Sequence, residues 1–344
     1  IKKESEIDQW LKEAEEKGEI AIDTETTSLN PHLADLVGIS LSTKIGYACY
    51  IPIGHKNHEC LNEEKIIKKL KSILEDKSIK KIGQNIKFDY IVFYKLGISL
   101  SSMEDTMLMS YVLDAGKNRH NMDTLSDIHL GHKTISFKEI VGTGKKEINF
   151  SEVELETAKN YAAEDADITF RLYKKFLKSL KSEKLFNIYE IFEKPLIKIL
   201  AFMEIEGVEV DSKFLNSLSS KFDKKIKKIE KEVFKISKKE FNIASPKQLG
   251  EIIYNDLKIA GTKKTKKGSF ATSASVLEDL AFKGHEFPKL VLDWRQVSKL
   301  KNTYSDALPE HINPHTKRVH TSFLLAATTT GRLASSDPNL QNIP

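Results

Sequence analysis

Cysteine and long apolar runs are what this 344-residue sequence has least of. Its two cysteines, Cys49 and Cys60, are too few for a disulfide framework and are typical of a reducing compartment. No stretch approaches the roughly 18 consecutive apolar residues of a membrane-spanning helix. The composition, 40% hydrophobic and 30% charged, is typical of a globular protein, and the length is sufficient for two domains.

Arginine is also scarce. The chain uses Arg for only five of its 54 basic residues: Arg119, Arg171, Arg295, Arg318 and Arg332. In a chain this rich in lysine, an arginine indicates a position where the planar guanidinium matters. Charge is unevenly spread, with a net −2 over residues 1–185 and +7 over residues 186–344. The second part is therefore the better candidate for a polyanion-binding surface.

The order of apolar segments predicts an α/β first part. A short buried strand at residues 20–22 is followed by two strands within residues 36–53, around a Lys-Ile-Gly turn. A helix at roughly 62–76 then leads to the strand "IKKIGQN" and a further helix. Three antiparallel strands followed by strand–helix alternation indicate a mixed sheet flanked by helices.

Long helices are predicted for much of the remainder. Ser151 and Glu154 match a capping box, which predicts that a long helix begins there. Another helix is expected over residues 186–207. Apolar residues repeat with heptad spacing between Leu215 and Ile236, which indicates an extended helix that packs lengthwise on a neighbour. Its lysines predict a solvated face, with DNA-backbone contact as the alternative. The stretch "GTKKTKKGS" (261–269) predicts a flexible basic loop.

Acidic residues at strand and helix positions suggest a site. Asp23 and Glu25 stand one residue apart at a strand end, where acids are uncommon. Either both acids are solvated, or Asp23 makes an Asx turn, or strand alternation directs both carboxylates to a shared divalent cation. Asp89 follows a later strand, and Tyr161 and Asp165 lie on one helix face at a spacing of four. A sheet could bring these residues together.

The motifs "DTETTSL", "GQNIKFD" and "YAAED" occur in this order, and together they resemble the proofreading 3′–5′ exonuclease domain of family A DNA polymerases. The resemblance spans about residues 5–185 and implies an RNase H-like fold. It implies two divalent metal ions, Mg²⁺ with Mn²⁺ able to substitute, and Asp23 would bridge both ions. Their ligands would be Asp23, Glu25, Asp89 and Asp165. Tyr161, helped by Glu25, would orient the attacking water.

The same resemblance implies contacts to a frayed single-stranded 3′ end. The residues concerned are Leu29, Gln84, Asn85, Phe88, Arg119 and Phe137. Core packing is the alternative for Leu29, Phe88 and Phe137. A zinc site at His55, His58 and Cys60 is a weaker hypothesis, because a fourth ligand is missing from that stretch.

The C-terminal segments "SPKQLGEIIY", "WRQVSKLKNTY", "RVHTSF" and "TTTGRLASSDPNLQNIP" resemble the thumb and first palm segment of bacterial family A polymerases. In that family the thumb grips duplex DNA. The resemblance implies duplex contacts by Arg295, Lys299, Arg332, Asn339, Gln341 and Asn342. We therefore expect an exonuclease domain over residues 1–185, followed by a mainly helical thumb and the start of a palm over residues 186–344.

The expected function is two-metal 3′–5′ exodeoxyribonuclease activity from a DNA polymerase of replication and repair. The expected partners are single-stranded 3′ ends and primer–template duplex, without a membrane, for a monomer in the bacterial cytoplasm. The sequence stops before the palm carboxylate motifs, so this chain is not expected to extend a primer. The alternatives are a non-catalytic DNA-binding scaffold and an RNA-trimming exonuclease. The four acids with Tyr161 disfavour the first, and the "TGRLASSDPNLQNIP" segment disfavours the second.

Overall fold

A computed structural model describes residues 1–259 and 270–343, so the basic loop predicted at 261–269 lies outside the described residues. The chain divides into two compact units. The first unit comprises residues 1–207 and 321–341, and the second comprises the described residues between 208 and 320 together with 342–343.

The domain boundary predicted between residues 185 and 186 does not coincide with the edge of a compact unit. The first unit continues to Gly207 because the helical residues 186–206 pack against its core, to which Leu200 and Ala201 contribute. It also takes in residues 321–341, because Leu325 is buried in the same core.

A five-stranded mixed sheet forms the centre of the first unit, in the order β3-β2-β1-β4-β5. The strands are β1 (Glu19–Thr26), β2 (Leu36–Lys44), β3 (Tyr47–Pro52), β4 (Lys80–Gly83) and β5 (Met103–Asp105). β2 pairs antiparallel with both β1 and β3, whereas β4 pairs parallel with both β1 and β5. The predicted mixed sheet is confirmed. A separate hairpin pairs β6 (Ser322–Leu324) with β7 (Ala334–Ser336).

Helices flank this sheet, which is why Ile20, Ala21 and Ile22 of β1 are all buried. The α-helices of the first unit are α1 (Ile7–Lys17), α2 (Glu63–Glu75), α3 (Ile86–Lys95), α4 (Thr106–Asp114), α5 (Met122–Leu130), α6 (Phe137–Val141), α7 (Leu155–Ser182), α8 (Phe186–Ile188) and α9 (Lys194–Glu206). A π-helical turn, Tyr189–Glu193, joins α8 to α9. Helix α7 packs across β1, β2 and β3.

The capping box predicted at Ser151 is wrong. Ser151 lies in a short 3₁₀ turn, where its amide and hydroxyl donate to the Asn149 side chain. Helix α7 begins at Leu155, and the side chain of Glu154 accepts the amide of Thr157 at 2.9 Å. The Ser151 side chain bonds to Asn149, and the side chain of Glu154 caps the helix instead.

The second unit is mainly helical. Its α-helices are α10 (Ser212–Ser237), α11 (Pro246–Glu251), α12 (Ala274–Phe282), α13 (Glu286–Leu300) and α14 (Ala307–Glu310), with π-helical turns at Ile252–Asp256 and Lys301–Asp306. The long helix predicted from heptad spacing is α10, and it packs against α13. Ile229 and Val233 are its buried seam residues, while its lysines are exposed. Among the described residues, none of the helices combines the length and apolar character needed to cross a membrane.

Candidate active site

The sheet and α7 bring three carboxylates together. Strand alternation directs Asp23 and Glu25 of β1 to the same side, and α7 packs against β1 with Asp165. One carboxylate oxygen from each of Asp23, Glu25 and Asp165 lies within 4.8 Å of the others. Glu25 and Asp165 are buried and Asp23 is half-buried. The solvated alternative for the two β1 acids is therefore wrong.

Asp89 lies beside this group but outside it. It is buried in the first turn of α3, and its Oδ1 accepts the Thr24 amide at 3.0 Å and the Thr24 hydroxyl at 2.6 Å. Thr24 stands between Asp23 and Glu25 on β1. Asp89 is thus hydrogen-bonded to the residue that stands between the two acids of β1. The sequence motifs gave Thr24 no role.

The electrostatics of the group favour a bound cation. Burial is the first cause that raises the pKa of Glu25, and the charges of Asp23, Asp165 and Asp89 raise it further. Burial followed by the charge of Asp23 raises the pKa of both Asp89 and Asp165. The buried Glu25 Oε1 has no hydrogen-bond partner within residues 1–259 and 270–343. An unpartnered oxygen among crowded carboxylates fits a hard divalent cation, which prefers oxygen ligands.

Tyr161 lies one helical turn before Asp165 and hydrogen-bonds to that carboxylate. Burial, and then the charges of Asp165, Glu25 and Asp23, raise the pKa of its phenol, so the hydroxyl stays protonated. Its ring lies 6.0 Å from both Phe137 and Phe150, and Phe137 stacks on Phe150. The three rings form an aromatic wall beside the carboxylates.

The residues predicted to contact a single strand are placed in different ways. Leu29 is 91% exposed, so core packing is wrong for it. Phe137 is 40% exposed at the edge of the aromatic wall, whereas Phe88 is half-buried and packs against the core. Asn85 and Arg119 are exposed.

Gln84 is held firmly by neighbours. Its amide donates to the carbonyl of His120 at 2.7 Å, and its carbonyl oxygen accepts the Thr106 hydroxyl. The next residue, Asn85, has a left-handed backbone with φ 61°. These bonds fix the turn between β4 and α3, where the residues predicted to contact single-stranded DNA begin.

The residues predicted to contact duplex DNA fall into both units. In the second unit, Arg295 is half-buried and donates to the Thr272 carbonyl at 2.7 Å, whereas Lys299, one turn further along α13, is exposed. Asn342 is exposed in the same unit. In the first unit the exposed residues of this set are Arg332, Asn339 and Gln341. Arg295 thus also has a structural role.

The predicted zinc residues have other partners. His55 Nε2 lies 2.8 Å from the Tyr50 hydroxyl, and His58 Nε2 accepts the Leu155 amide at 3.2 Å. The Cys60 thiol points to the backbone carbonyls of both histidines. Because these hydrogen bonds already engage a nitrogen of each ring and the thiol, the residues serve packing.

Comparison with known families gives two matches. Residues 1–181, more than half of the chain, match the family described as 3′–5′ exonuclease. Residues 212–344 match DNA polymerase family A.

Individual relatives agree with these matches. DNA polymerase I of Rhizobium leguminosarum is 46% identical over 98% of this chain and 35% of its own length. DNA polymerase I of Pseudomonas aeruginosa is 42% identical over 98% of this chain and 38% of its own length. The chain thus spans little more than a third of these relatives. A solved structure, the POL domain of Pol1 from M. smegmatis in complex with DNA primer-template and dNTP, aligns with a TM-score of 0.82 and 26% identity, over 99% of this chain and 55% of that one.

Proposed function

The chain belongs to the 3′–5′ exonuclease family of family A DNA polymerases, and from that premise we propose that it hydrolyses the 3′-terminal phosphodiester of DNA with two bound metal ions. The main support for the proposal is the close approach of three carboxylates, those of Asp23, Glu25 and Asp165. Tyr161 is hydrogen-bonded to Asp165. The proposal includes an RNase H-like fold for the exonuclease part.

In this proposal Asp23, Glu25, Asp165 and Asp89 hold the two cations. Mg²⁺ is favoured by the all-oxygen donor set, and Mn²⁺ can substitute. Bound cations would supply charge neutralisation at the phosphate and at the attacking and leaving oxygens.

The protein's own groups orient the nucleophile. The Tyr161 phenol remains protonated and donates its proton to Asp165, so its oxygen can accept a hydrogen bond from a water at the edge of the group. The free Oε1 of Glu25 can accept a proton of that water. Positioning by two side chains from different elements fixes the direction of attack.

The substrate in this proposal is an unpaired 3′ end. The exposed side chains of Leu29 and Phe137 offer apolar surface to bases, as aromatic and apolar groups do in single-strand binding. A paired terminus would first have to unstack, at a cost of a few kcal/mol per step. Single strands and mismatched ends should therefore be cut faster than matched duplex, which is the selectivity that proofreading needs.

The second unit is proposed to bind duplex as the thumb. The exposed lysines of α10 and the exposed Lys299 present positive charge to a phosphate backbone. Such binding is expected to weaken steeply with salt, because it depends on counterion release.

The test of this proposal is digestion of oligonucleotides labelled at either end, with Mg²⁺. With a 3′ label, the label should appear at once as a mononucleotide. With a 5′ label, a ladder of shortened strands should appear. An RNA of the same sequence should be cut more slowly. Faster cutting of the RNA would favour the RNA-trimming alternative. Internal cuts, or equal rates on single strand, mismatched end and matched duplex, would contradict the proposal.

A further inference from the structure

Asp105 is a fully buried carboxylate outside the three-carboxylate group, and it accepts hydrogen bonds from four backbone amides. Its Oδ1 accepts from Met107 at 2.9 Å, Asn85 at 3.1 Å and Leu108 at 3.4 Å. Its Oδ2 accepts from Ile86 at 3.1 Å. One side chain thus serves the first amides of two helices, α3 and α4.

The sheet explains this double role. β4 and β5 are parallel neighbours with Gly83 opposite Asp105, so both strands end at the same edge and a helix begins after each. The first amides of any helix lack partners within the helix. Asp105 caps its own helix α4 in the ordinary way. Asn85, the residue before α3, makes no side-chain cap within the described residues. Asp105 takes that role by accepting hydrogen bonds from the Asn85 and Ile86 amides.

The segment that Asp105 holds carries predicted site residues. Asn85 is left-handed at φ 61° and ψ 45°, a region that is uncommon for non-glycine residues but that asparagine adopts more readily than most, so hydrogen bonds can constrain it there. The amide bonds from Asn85 and Ile86 to Asp105 supply that constraint. Phe88 and Asp89 follow in the first turn of α3.

Thr106 extends the same support. Its hydroxyl donates to the side-chain oxygen of Gln84 and lies 3.1 Å from the Gly83 carbonyl. The two consecutive residues Asp105 and Thr106 therefore fix the whole turn from Gln84 to Ile86. No sequence motif used for the site includes either residue.

A carboxylate can serve all four amides at once. Oδ1 accepts three of them and Oδ2 accepts the Ile86 amide, whereas an amide side chain has one acceptor oxygen and would place its NH₂ group against one of these backbone N–H groups. Burial raises the pKa of Asp105 to about 6, and the four amide bonds oppose that shift. Burial of the Asp105 carboxylate costs free energy, and the four hydrogen bonds to its two oxygens offset part of that cost.

We propose that Asp105 is a positioning residue for the exonuclease: by capping α3 from the neighbouring strand, it fixes the Gln84–Asp89 segment against the 3′ end of the substrate. The inference rests on the proposed function. Asp105 itself touches neither substrate nor metal ligand, and it acts through the amides of Asn85 and Ile86.

The test compares Asp105→Asn with Asp211→Asn. Asp211 is a matched control because it caps a single helix, α10, through the Phe214 amide at 2.9 Å in the second unit. At a temperature where circular dichroism shows both variants folded, kcat/KM on a single strand should fall at least tenfold for Asp105→Asn, with a raised KM. It should stay within about twofold of wild type for Asp211→Asn.

Hydrogen exchange gives a readout that does not depend on activity. In wild type the amides of Asn85 and Ile86 should be protected, and in Asp105→Asn the Ile86 amide, which bonds to Oδ2, should exchange faster. Asp105→Ser, which can still cap α4, should release the α3 amides while it keeps those of Met107 and Leu108. If wild type lacks exonuclease activity, the proposed function fails, while the exchange result still reports on the cap.

Two results would overturn the inference. One is an Asp105→Asn variant with kcat/KM and KM within twofold of wild type. The other is rapid exchange of the Asn85 and Ile86 amides in wild type, a result that stands even if every variant fails to fold.

Discussion

At the residue scale, Tyr161 and Asp165 show how one helix turn can serve both structure and chemistry. The phenol hydrogen-bonds to the carboxylate, and its ring completes the wall with Phe137 and Phe150. The ring contacts need only an aromatic side chain, whereas the proposed orientation of water needs the hydroxyl. Removing the hydroxyl alone therefore separates the two roles.

We expect Tyr161→Phe to slow single-turnover hydrolysis on the order of tenfold or more, because a hydroxyl that orients water acts in the chemical step. The affinity for a single strand, measured with Ca²⁺ in place of Mg²⁺, should change little because the aromatic wall is kept. A large loss of affinity with an unchanged single-turnover rate would instead make Tyr161 a substrate-binding residue.

Much of the site could be predicted at this scale because its acids break local rules. Asp23 and Glu25 stand in a strand that otherwise favours apolar residues, and Asp165 repeats at helical spacing with Tyr161. Thr24 and Asp105 could not be found in this way. A threonine is ordinary in a strand and an aspartate is ordinary before a helix, and only the tertiary partners Asp89 and Asn85 give them their roles.

At the element scale, a buried ion pair joins three segments that are distant in sequence. Lys87 of α3 pairs with Glu204 of α9, and both side chains are almost fully buried. Lys87 Nζ also donates to the Phe323 carbonyl at 2.8 Å, and the Phe323 amide donates to Glu204 at 2.6 Å. The hairpin strand β6 is thereby attached to the helix that carries Asp89.

Lys87→Met should destabilise the first unit by about 3–5 kcal/mol, because it removes the ammonium group that lies against the buried Glu204 carboxylate. Adding Glu204→Gln should recover much of this loss, since the glutamine oxygen can still accept the Phe323 amide. Urea unfolding of the wild type, Lys87→Met and the double variant measures both effects. An equal or greater loss in the double variant would show that the charge pair is not the cause.

Elements were predicted where the signal is local. The mixed sheet follows from three hairpin-linked segments and one strand–helix alternation, and α10 follows from its heptad spacing. The start of α7 was misplaced, because Ser151 is engaged by Asn149 and the cap falls to Glu154. The packing of residues 321–341 into the first unit was not predicted, since it depends on contacts such as Lys87 with Phe323.

At the scale of the whole molecule, the carboxylate group links stability to pH and metal. Burial raises the pKa of Asp23 to about 7, and burial with mutual repulsion raises the pKa of Glu25 and Asp165. In the unfolded chain such groups titrate near pH 4. Between about pH 4 and 7 the folded metal-free protein therefore binds more protons, and its stability falls as the pH rises.

We expect the Tm of the metal-free wild type to fall relative to that of Asp23→Asn between about pH 5 and pH 8. Mg²⁺ should raise the Tm of the wild type more at the higher pH, because ionised carboxylates bind the cation. Burial lowers the pKa of His55, His120 and His129, which gives a trend of the opposite sign. Those histidines are shared by both proteins, so the difference between the two isolates the carboxylates. Parallel pH profiles with equal Mg²⁺ effects would contradict this expectation.

Single-turnover release of the terminal nucleotide from a 3′-labelled single strand is the most direct test of the proposed hydrolysis by two bound metal ions. It compares the wild type, Asp23→Ala/Glu25→Ala and the control Glu15→Ala/Glu16→Ala, which removes two exposed acids from α1. With Mg²⁺ or Mn²⁺, the wild type and the control should release the label at the same rate, and the Asp23→Ala/Glu25→Ala variant should release none while remaining folded. Release by that variant at the wild-type rate would show that the chemistry takes place elsewhere.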